Sequence, residues 1–418
     1  MTAGAVTTAT RIGRLEFPLL CMLLVVLPIL EAPKNLALAL FILTRLARAI
    51  AERRFGFQRP EPVELAVLGL IVAAAASTFV NWPFANGDKG LKDVLSYSIV
   101  FLIVYRERYT HAQKYLLAVM AAAGVTVGLI WGVVEVMQGK RSLELHSVGV
   151  VTHSSIYVGV MLVTAMGIAW FGRGDPSAGD NVRPIREARY WWVVAALLML
   201  GLFAMASRGG ILATGIALLL ALSLLKRRDL WIAMSLLVVV CVATVSMLPN
   251  VFDQRRIVSR ARMYESDSGR ISIWRVGIAQ VTQGHTLLFG VGPRNFSGIE
   301  LGRLRFDEPL YLPRNKLTLT HAHDMFLNKL VEEGVLGLTA MLVFFAFPTR
   351  ALIRDWRADR WKNWLWLSGM GALVVPIVSG SFGTPWYNEH ALLAMIILAL
   401  YLSSRNPENI VAPGPDNG

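Results

Sequence analysis

The sequence predicts an all-α polytopic membrane protein of about 12 transmembrane helices, with one large loop outside the membrane. Its 418 residues are 55% hydrophobic and only 17% charged, and the mean hydropathy is +0.52. The apolar residues form long blocks, and a block such as residues 190–206 leaves no polar face for water. A soluble chain of this length would need several cores separated by polar surfaces, so the pattern excludes that class.

Runs of about 17 to 25 apolar residues mark the candidate spans. The first run follows Arg11 and Arg14, as in a signal peptide, but no small-residue cleavage site follows Leu30, so we expect a retained first span. The first, second and fourth runs are short or weakly bounded, so about ten or eleven spans remain an alternative. The runs cover residues 15–31, 34–51, 62–82, 91–105, 113–137, 153–171, 189–206, 208–225, 230–248, 323–348, 362–380 and 386–403.

Basic residues predict the orientation of these spans. Connections on one side carry 23 lysines and arginines, whereas the short loops on the other side carry six. By the positive-inside rule, we expect both termini in the cytoplasm. Most of the formal charge of +13 then lies in cytoplasmic loops, which argues against nucleic acid as a partner. Both cysteines, Cys21 and Cys241, lie inside apolar runs, so no disulfide framework is predicted.

Residues 250–322 form one long connection on the side opposite the cytoplasm. The segment exceeds the length of about 60 residues over which the charge rule holds. It carries 11 basic and six acidic residues, a net positive charge where positive charge is usually sparse. Loops of this length in compact proteins are more often functional than idle.

Within this loop, residues 271–283 have helical periodicity, and Gly290 and Gly292 predict a turn after the helix. We expect an amphipathic helix on the membrane surface, with one apolar face formed by Ile271, Trp274, Ile278 and Val281. The predicted organisation is therefore transmembrane helices 1 to 9 in residues 1–249, a periplasmic loop with short amphipathic helices in 250–322, helices 10 to 12 in 323–405, and a flexible cytoplasmic tail in 406–418.

Several kinds of catalytic site are missing from the sequence. It has no Cys/His metal spacing, no G-x-S-x-G, no Walker-type glycine-rich loop and no acidic D-x-D pair in an outer loop. The sequence therefore lacks the motifs expected for metal-dependent sugar-nucleotide chemistry and for ATP hydrolysis. Arginines and histidines on one face of the membrane remain as the candidate groups.

Two arginines are candidates for binding an anion. Arg208 lies in the turn SRGG between two apolar runs, where the glycines allow close approach of a backbone or a ligand. Arg270 is expected at the start of the loop helix, where backbone N–H groups would add to an anion site. Alternatively, Arg208 snorkels to lipid headgroups and Arg270 is a solvated loop residue. Arg294, in GVGPRNF, is a weaker candidate.

The stretch LTHAHDMFLNKLVEEGVLGL, residues 319–338, places His321 and His323 before a helix expected to run from residue 323 to 349. An imidazole, with an ordinary pKa of about 6.5, can accept a proton at neutral pH. The alternative for His323 is a hydrogen bond to the helix backbone. We expect Lys329 to pair with Glu332 or Glu333. Tyr387, Glu389 and His390 could lie at the same outer end of the helices as His321 and His323. Trp386 is expected to anchor the chain at the membrane interface.

Taken together, these motifs resemble the O-antigen ligase and polymerase superfamily of bacterial membrane glycosyltransferases, and the O-antigen ligases most. The resemblance rests on SRGG at 207–210, G-R-x-x-x-W at 269–274, and the motif H-[N/S/Q], nine residues, G-x-x-G. His323, Asp324, Gly334 and Gly337 hold the places of that last motif. Asp324 departs from the usual residue, because it keeps an acceptor for the helix N-terminus but lacks an amide or hydroxyl donor.

The resemblance implies a GT-C-like protein of the bacterial inner membrane with a periplasmic active site. It implies transfer of a glycan from undecaprenyl diphosphate to the outer sugar of lipid A-core, without a metal or other cofactor, by a monomer or weak oligomer surrounded by membrane lipids. Our hypothesis is that Arg208 and Arg270 hold the diphosphate and that His323 is the base. The accessory candidates are Arg294, His321, Asp324 and Glu332.

Two other functions remain open at this stage. An O-antigen polymerase or a protein O-oligosaccharyltransferase of the same superfamily would share the donor, although polymerases commonly have two sizeable periplasmic loops. A secondary transporter of an anionic solute is a less favoured alternative, because most spans lack charged residues near their centres.

Overall fold

The computed structural model describes residues 3–52, 60–83, 86–140, 142–172, 186–225, 235, 239, 260–284, 286–310, 319–383, 386 and 388–405. These residues form helices joined by turns, and no strand occurs among them. The helices are α1 (Ala3–Val26), α2 (Glu31–Ala51), α3 (Pro62–Val80), α4 (Gly87–Arg106), α5 (His111–Met137), α6 (Val151–Phe171), α7 (Trp191–Ala204), α8 (Arg208–Leu225), α9 (Arg260–Gln283), α10 (Met325–Arg357), α11 (Trp364–Gly380) and α12 (Asn388–Ser403).

Four of these helices, α3, α5, α6 and α10, are long and apolar enough to cross a membrane. Shorter apolar helices cover Ala188–Ala204, Arg208–Leu224, Trp364–Gly380 and Glu389–Ser403. The described part of the chain is therefore all-helical, as predicted, and contains four candidate membrane spans. The count of twelve spans and the periplasmic loop stay predictions. Helices α1 to α8 and α10 to α12 overlap eleven of the twelve predicted runs. The ninth run, residues 230–248, lies almost entirely outside the described residues.

Small residues let the helices approach closely around α6, whose residues from Ser154 to Ala169 are all buried. A Cβ on Gly371 of α11 would lie 2.7 Å from Val163 Cβ of α6. A Cβ on Gly124 of α5 would lie 2.7 Å from the carbonyl oxygen of Leu24 in α1. Glycine at such crossings allows the close packing by which membrane helices associate.

Trp386 is buried in this core, with its ring centroid 4.9 Å from that of Phe345 in an edge-on arrangement. The expectation of an interfacial anchor was therefore wrong for this residue. Its indole instead fills the space between α4, α10 and α12, where it also faces Tyr97 and Phe344 at centroid distances of 6.2 Å.

Helix α10 does not run as the single straight helix predicted from residue 323 to 349. It begins at Met325, ends at Arg357 and is broken at Gly334, whose φ is 70° and ψ is −167°. The turn at residues 287–292 packs against this break. Val291 N donates to the Val331 carbonyl at 2.9 Å, and Val335 N donates to the Leu287 carbonyl at 2.8 Å. The turn thus takes up backbone groups that the break leaves without helical partners.

Helix α9 confirms the predicted helix but corrects its start. It begins at Arg260, so Arg270 lies ten residues inside the helix and gains no helix N-terminus. Ile271 and Ile278, expected on the face toward the membrane surface, are 49% and 54% exposed, whereas Val281 is buried. That the helix lies on the membrane surface stays a prediction. Helix α9 packs closely against α10, where a Cβ on Gly277 would lie 3.1 Å from Val331 Cγ2.

Candidate functional site

The ends of several helices meet where α11 ends, and we call this end of the bundle the site end. A Cβ on Gly380, the last residue of α11, would lie 3.1 Å from Met325 Cβ at the start of α10. A Cβ on Gly209, in the first turn of α8, would lie 3.8 Å from Ser379 Oγ. The residues that begin α8 and α10 therefore both lie beside the end of α11.

Arg208 is the first residue of α8 and is exposed. The turn before it is fixed on α6, because Ser155 Oγ donates to Ser207 Oγ at 2.9 Å. The backbone N–H of Gly210 donates to Ser207 Oγ at 3.3 Å. A Cβ on Gly210 would overlap the Ser155 side chain, so the second glycine of SRGG accommodates α6. The motif thus fixes the backbone that carries the Arg208 guanidinium.

Helix α9 brings Arg270 beside the histidine segment. Trp274 Nε1 donates to the carbonyl of Ala322, between His321 and His323, at 2.9 Å. Arg270 lies four residues before Trp274, so both project from the same face of α9. Arg270 is half-buried. Elements that carry Arg208, Arg270 and His323 are therefore neighbours at the site end.

His323 has an unusual backbone conformation that its neighbours hold in place. Its φ is 54°, in the left-handed region that side chains other than glycine rarely adopt. On one side, the Ala322 N–H donates to Asn328 Oδ1 at 2.9 Å. On the other, Asp324 caps α10 by accepting from the Leu327 N–H at 2.7 Å. The expected acceptor role of Asp324 is confirmed.

The rings of His321 and His323 are close to each other, with centroids 4.2 Å apart and planes inclined by 59°. Both imidazoles are half-buried. Two neighbouring imidazoles can share or pass on a proton, because each can both donate and accept.

The charged residues in the first turns of α10 follow the histidine segment directly. Lys329 and Glu333 are buried and form an ion pair, as predicted for Lys329. Glu332 is 1% exposed, and its backbone carbonyl accepts from Ser77 Oγ at 2.8 Å and from the Gly292 N–H at 2.9 Å. The backbone of Glu332 thus anchors the turn that packs against the break at Gly334.

Arg294 is tied to α4 rather than projecting alone from a loop. Its guanidinium forms an ion pair with Asp93 at 2.7 Å, and its φ is 59°. A Cβ on Gly90 would lie 2.9 Å from the backbone carbonyl carbon of Pro293. Glycine at residue 90 therefore lets the loop approach α4 closely enough for this pair to form.

A further set of polar residues at the site end was missed in the sequence or noted only in part. Lys34 of α2 forms a buried ion pair with Glu389 of α12, and its Nζ donates to Ser147 Oγ at 3.2 Å. His153 of α6 stacks on His390 of α12 with centroids 4.5 Å apart. In the sequence, Lys34 and Glu389 each lie at the outer end of an apolar run. That position was the one sign that they could belong to this polar set. Tyr387 lies outside the described residues.

Of these two histidines, His153 lies within electrostatic range of His321 and Arg294, although burial is the larger influence on it. The histidine segment, the Arg294 loop and the starts of α6 and α12 therefore surround one polar region. Cations and imidazoles of this kind can bind an anionic group and accept a proton from a hydroxyl.

No group of three or more His, Cys, Asp or Glu residues that could hold a metal occurs in the part of the chain that the structure describes. Independence from metal remains a prediction about the reaction, to be tested by chelation.

A comparison with known families gives one match to this region. The family model described as O-antigen ligase matches residues 193–342. The matched segment runs from α7 into α10 and contains all seven candidate residues, whereas Lys34, Asp93, His153, Glu389 and His390 lie outside it. The comparison with curated proteins gives no match. The family match confirms the resemblance that the sequence motifs indicated.

Proposed function

We propose that this chain, which carries the O-antigen ligase family domain, is an O-antigen ligase of the bacterial inner membrane. It transfers polysaccharide from undecaprenyl diphosphate to the outer-core sugar of lipid A-core. The reaction takes place in the periplasm, both termini are cytoplasmic, and the protein works as a monomer or weak oligomer. The observation that carries this proposal is the meeting of the elements that bear Arg208, Arg270 and His323 at one end of α11.

The donor already carries a good leaving group, because a diphosphate is stable as an anion. In the proposed step, the acceptor hydroxyl oxygen forms a bond to C1 of the donor sugar while the bond from C1 to the diphosphate oxygen breaks. His323 takes the hydroxyl proton, and the diphosphate leaves with the electron pair. A single displacement of this kind inverts the configuration at C1.

Arg208 and Arg270 stabilise the negative charge that develops on the leaving diphosphate. Guanidinium groups suit this role because they form paired hydrogen bonds with phosphate oxygens and are charged at every relevant pH. Arg270 acts from within α9, so its contribution comes from the side chain alone and not from a helix N-terminus.

The accessory residues fit roles around this centre. Asp324 and Asn328 position His323 through the contacts on either side of it. His321 supports it as a neighbouring imidazole, Arg294 and Asp93 fix the loop over α4, and Glu332 holds the turn at the break in α10.

The test is reconstitution with defined substrates. Purified protein is mixed with lipid-linked glycan and rough lipopolysaccharide, with and without EDTA, and products are separated by gel electrophoresis. We expect a ladder of larger lipopolysaccharide in both conditions, and none when either substrate is omitted.

The same assay separates the ligase from its alternatives. Lengthening of the lipid-linked glycan without added lipopolysaccharide would replace this proposal by a polymerase. Transfer to an added protein would indicate a protein O-oligosaccharyltransferase. Loss of the ladder with EDTA, restored by a divalent metal, would contradict the metal-independent mechanism.

A further inference from the structure

Trp274 connects α9 to the histidine segment through one hydrogen bond. Its indole Nε1 donates to the Ala322 carbonyl at 2.9 Å, and the side chain is half-buried. That carbonyl belongs to the peptide bond between Ala322 and His323, so the hydrogen bond holds the peptide plane that directly precedes His323. The angle φ of His323 is the rotation between this plane and the groups on its Cα. Trp274 therefore bears directly on the direction of the His323 side chain.

The neighbouring peptide plane is held from a different helix. The N–H of Ala322, which belongs to the peptide bond between His321 and Ala322, donates to Asn328 Oδ1 at 2.9 Å. Asn328 is part of α10 and is only 2% exposed. The two peptide planes that flank Ala322 are thus held by α9 on one side and by α10 on the other.

The hydrogen bond from Trp274 lies beside an apolar cluster that is separate from the main core. Ala322 is fully buried in this cluster, together with Val276 of α9 and Val331 of α10. Among such groups, water cannot readily replace a lost donor, and a buried carbonyl deprived of one is unfavourable. Removing the indole N–H should therefore loosen the peptide between Ala322 and His323.

His323 depends on this support because its φ of 54° lies in the left-handed region. Rotation of the peptide between Ala322 and His323 changes φ of His323, and it would let φ return to the negative region that such residues prefer. The bond from Trp274 opposes that rotation. An unfavourable conformation of this kind persists only where the surrounding structure enforces it.

The same helix also carries Arg270. It lies one turn before Trp274, and residues four apart project from the same face of a helix. A hydrogen bond from Trp274 to the peptide before His323 therefore fixes the helix face of Arg270 relative to His323. In a reaction that needs both groups at once, their relative placement governs the rate.

We propose that Trp274 is a positioning residue, which holds the His323 side chain at a fixed place relative to Arg270. This inference rests on the proposed function, because it takes His323 as the base and Arg270 as a ligand of the diphosphate. Trp274 acts through the peptide before His323. It contributes to the rate of the chemical step and not to the binding of either substrate.

The test removes the indole N–H and keeps the size of the side chain. Benzothienylalanine, in which sulfur replaces the N–H, is introduced at residue 274 of the full-length protein by amber-codon suppression, and Trp274→Phe is its encoded counterpart. Ligation is measured with lipid-linked glycan and rough lipopolysaccharide. We expect kcat to fall by roughly tenfold to a hundredfold in both variants, with little change in KM for either substrate.

Trp366 provides a matched control. Its Nε1 donates to the Leu352 carbonyl at 3.0 Å, so the same kind of hydrogen bond connects α11 to α10. Trp366 lies fourteen residues before Gly380 in α11, roughly 20 Å from the site end at 1.5 Å per residue. Benzothienylalanine in place of Trp366 should leave kcat close to the wild-type value, even where Tm falls.

A second measurement follows the histidine segment without using the reaction. Amide hydrogen exchange of the protein in detergent is monitored by mass spectrometry in peptides that cover residues 319–325. Exchange there should be severalfold faster with benzothienylalanine at residue 274, because the backbone around Ala322 opens more often. Peptides from α11 should exchange as in the wild type.

Three results would overturn the proposal. They are a wild-type kcat with benzothienylalanine at residue 274, a loss that appears in KM alone, and an equal loss of kcat in the Trp366 control. Unchanged exchange of residues 319–325 would also contradict it, because Trp274 would then not hold the segment. If His323→Ala ligates at a near-normal rate, the proposed base is wrong. Faster exchange would then still show that Trp274 holds this peptide, which separates the two failures.

Discussion

At the scale of single residues, His323 combines an unusual backbone conformation with a side chain that can accept a proton. Its left-handed φ of 54° costs of order 1 to 3 kcal/mol in a residue other than glycine. Contacts of Ala322 with Trp274 and Asn328, and the cap by Asp324, compensate for this cost. We infer that the imidazole is thereby held in one direction.

Replacing His323 by alanine should lower the rate of ligation by roughly 10² to 10⁴, because a positioned general base contributes about that factor. The rate is measured with saturating donor, and Tm checks that the protein folds. His146→Ala is the control, since His146 is an exposed histidine that contacts Glu135 instead. A near-normal rate for His323→Ala would remove His323 from the role of base.

Arg270→Lys should restore little of the activity lost in Arg270→Ala, because an ammonium lacks the planar fork that binds two phosphate oxygens together. The measurement is the ligation rate as a function of donor concentration. Arg275→Lys provides the comparison on the same helix, where Arg275 pairs with Glu308 at 2.5 Å, and should stay close to wild type. Full rescue by lysine would mean that Arg270 acts only as a point charge.

At the scale of elements, the break in α10 is the feature that shapes the site most. Gly334 has a positive φ, and a Cβ there would overlap the Leu288 carbonyl of the packed turn. Sequence periodicity showed α10 as one apolar segment, because a single residue with unusual φ and ψ leaves no mark on the spacing of apolar residues. The glycines were visible in the motif, but their reason, close packing of residues 287–292, required the tertiary structure.

Gly334→Ala should therefore destabilise the protein, by about 1 to 3 kcal/mol from the backbone conformation alone, because φ 70° with ψ −167° is essentially restricted to glycine, and by more from the overlap. We expect a lower Tm in detergent and a lower ligation rate. Gly298→Ala is a suitable control, because a Cβ at Gly298 meets nothing within 4 Å. Equal Tm values for both variants would contradict this prediction, because they would show that the break in α10 accommodates a Cβ at residue 334 at no cost in stability.

At the scale of the whole molecule, long-range ion pairs connect helices that are far apart in the chain. Lys34 and Glu389 join α2 to α12 across 355 positions, and Asp93 and Arg294 join α4 to the loop after α9. Apolar runs predicted the helices well, and the sidedness of the arginines predicted which groups would share an end. Partners such as Lys34 and Glu389 could not be assigned, because local periodicity carries no information about which helices are neighbours.

Lys34→Met should lower stability strongly, in the range of about 3 to 5 kcal/mol, because it leaves the Glu389 carboxylate buried without a partner. The double variant Lys34→Met with Glu389→Gln should recover much of this loss. Thermal unfolding of both single variants and the double variant measures the coupling. If the losses simply add, the pair makes no contribution of its own to holding α2 against α12.

The central claim is that Arg208, Arg270 and His323 surround one site that opens to the outside of the membrane. It is tested most directly by replacing each in turn with cysteine, in a background of Cys21→Ala and Cys241→Ala, and labelling spheroplasts with a membrane-impermeant maleimide. We predict that all three positions react from outside and that added undecaprenyl diphosphate protects all three. Labelling from the cytoplasmic side only, or protection of one position but not the others, would contradict the account.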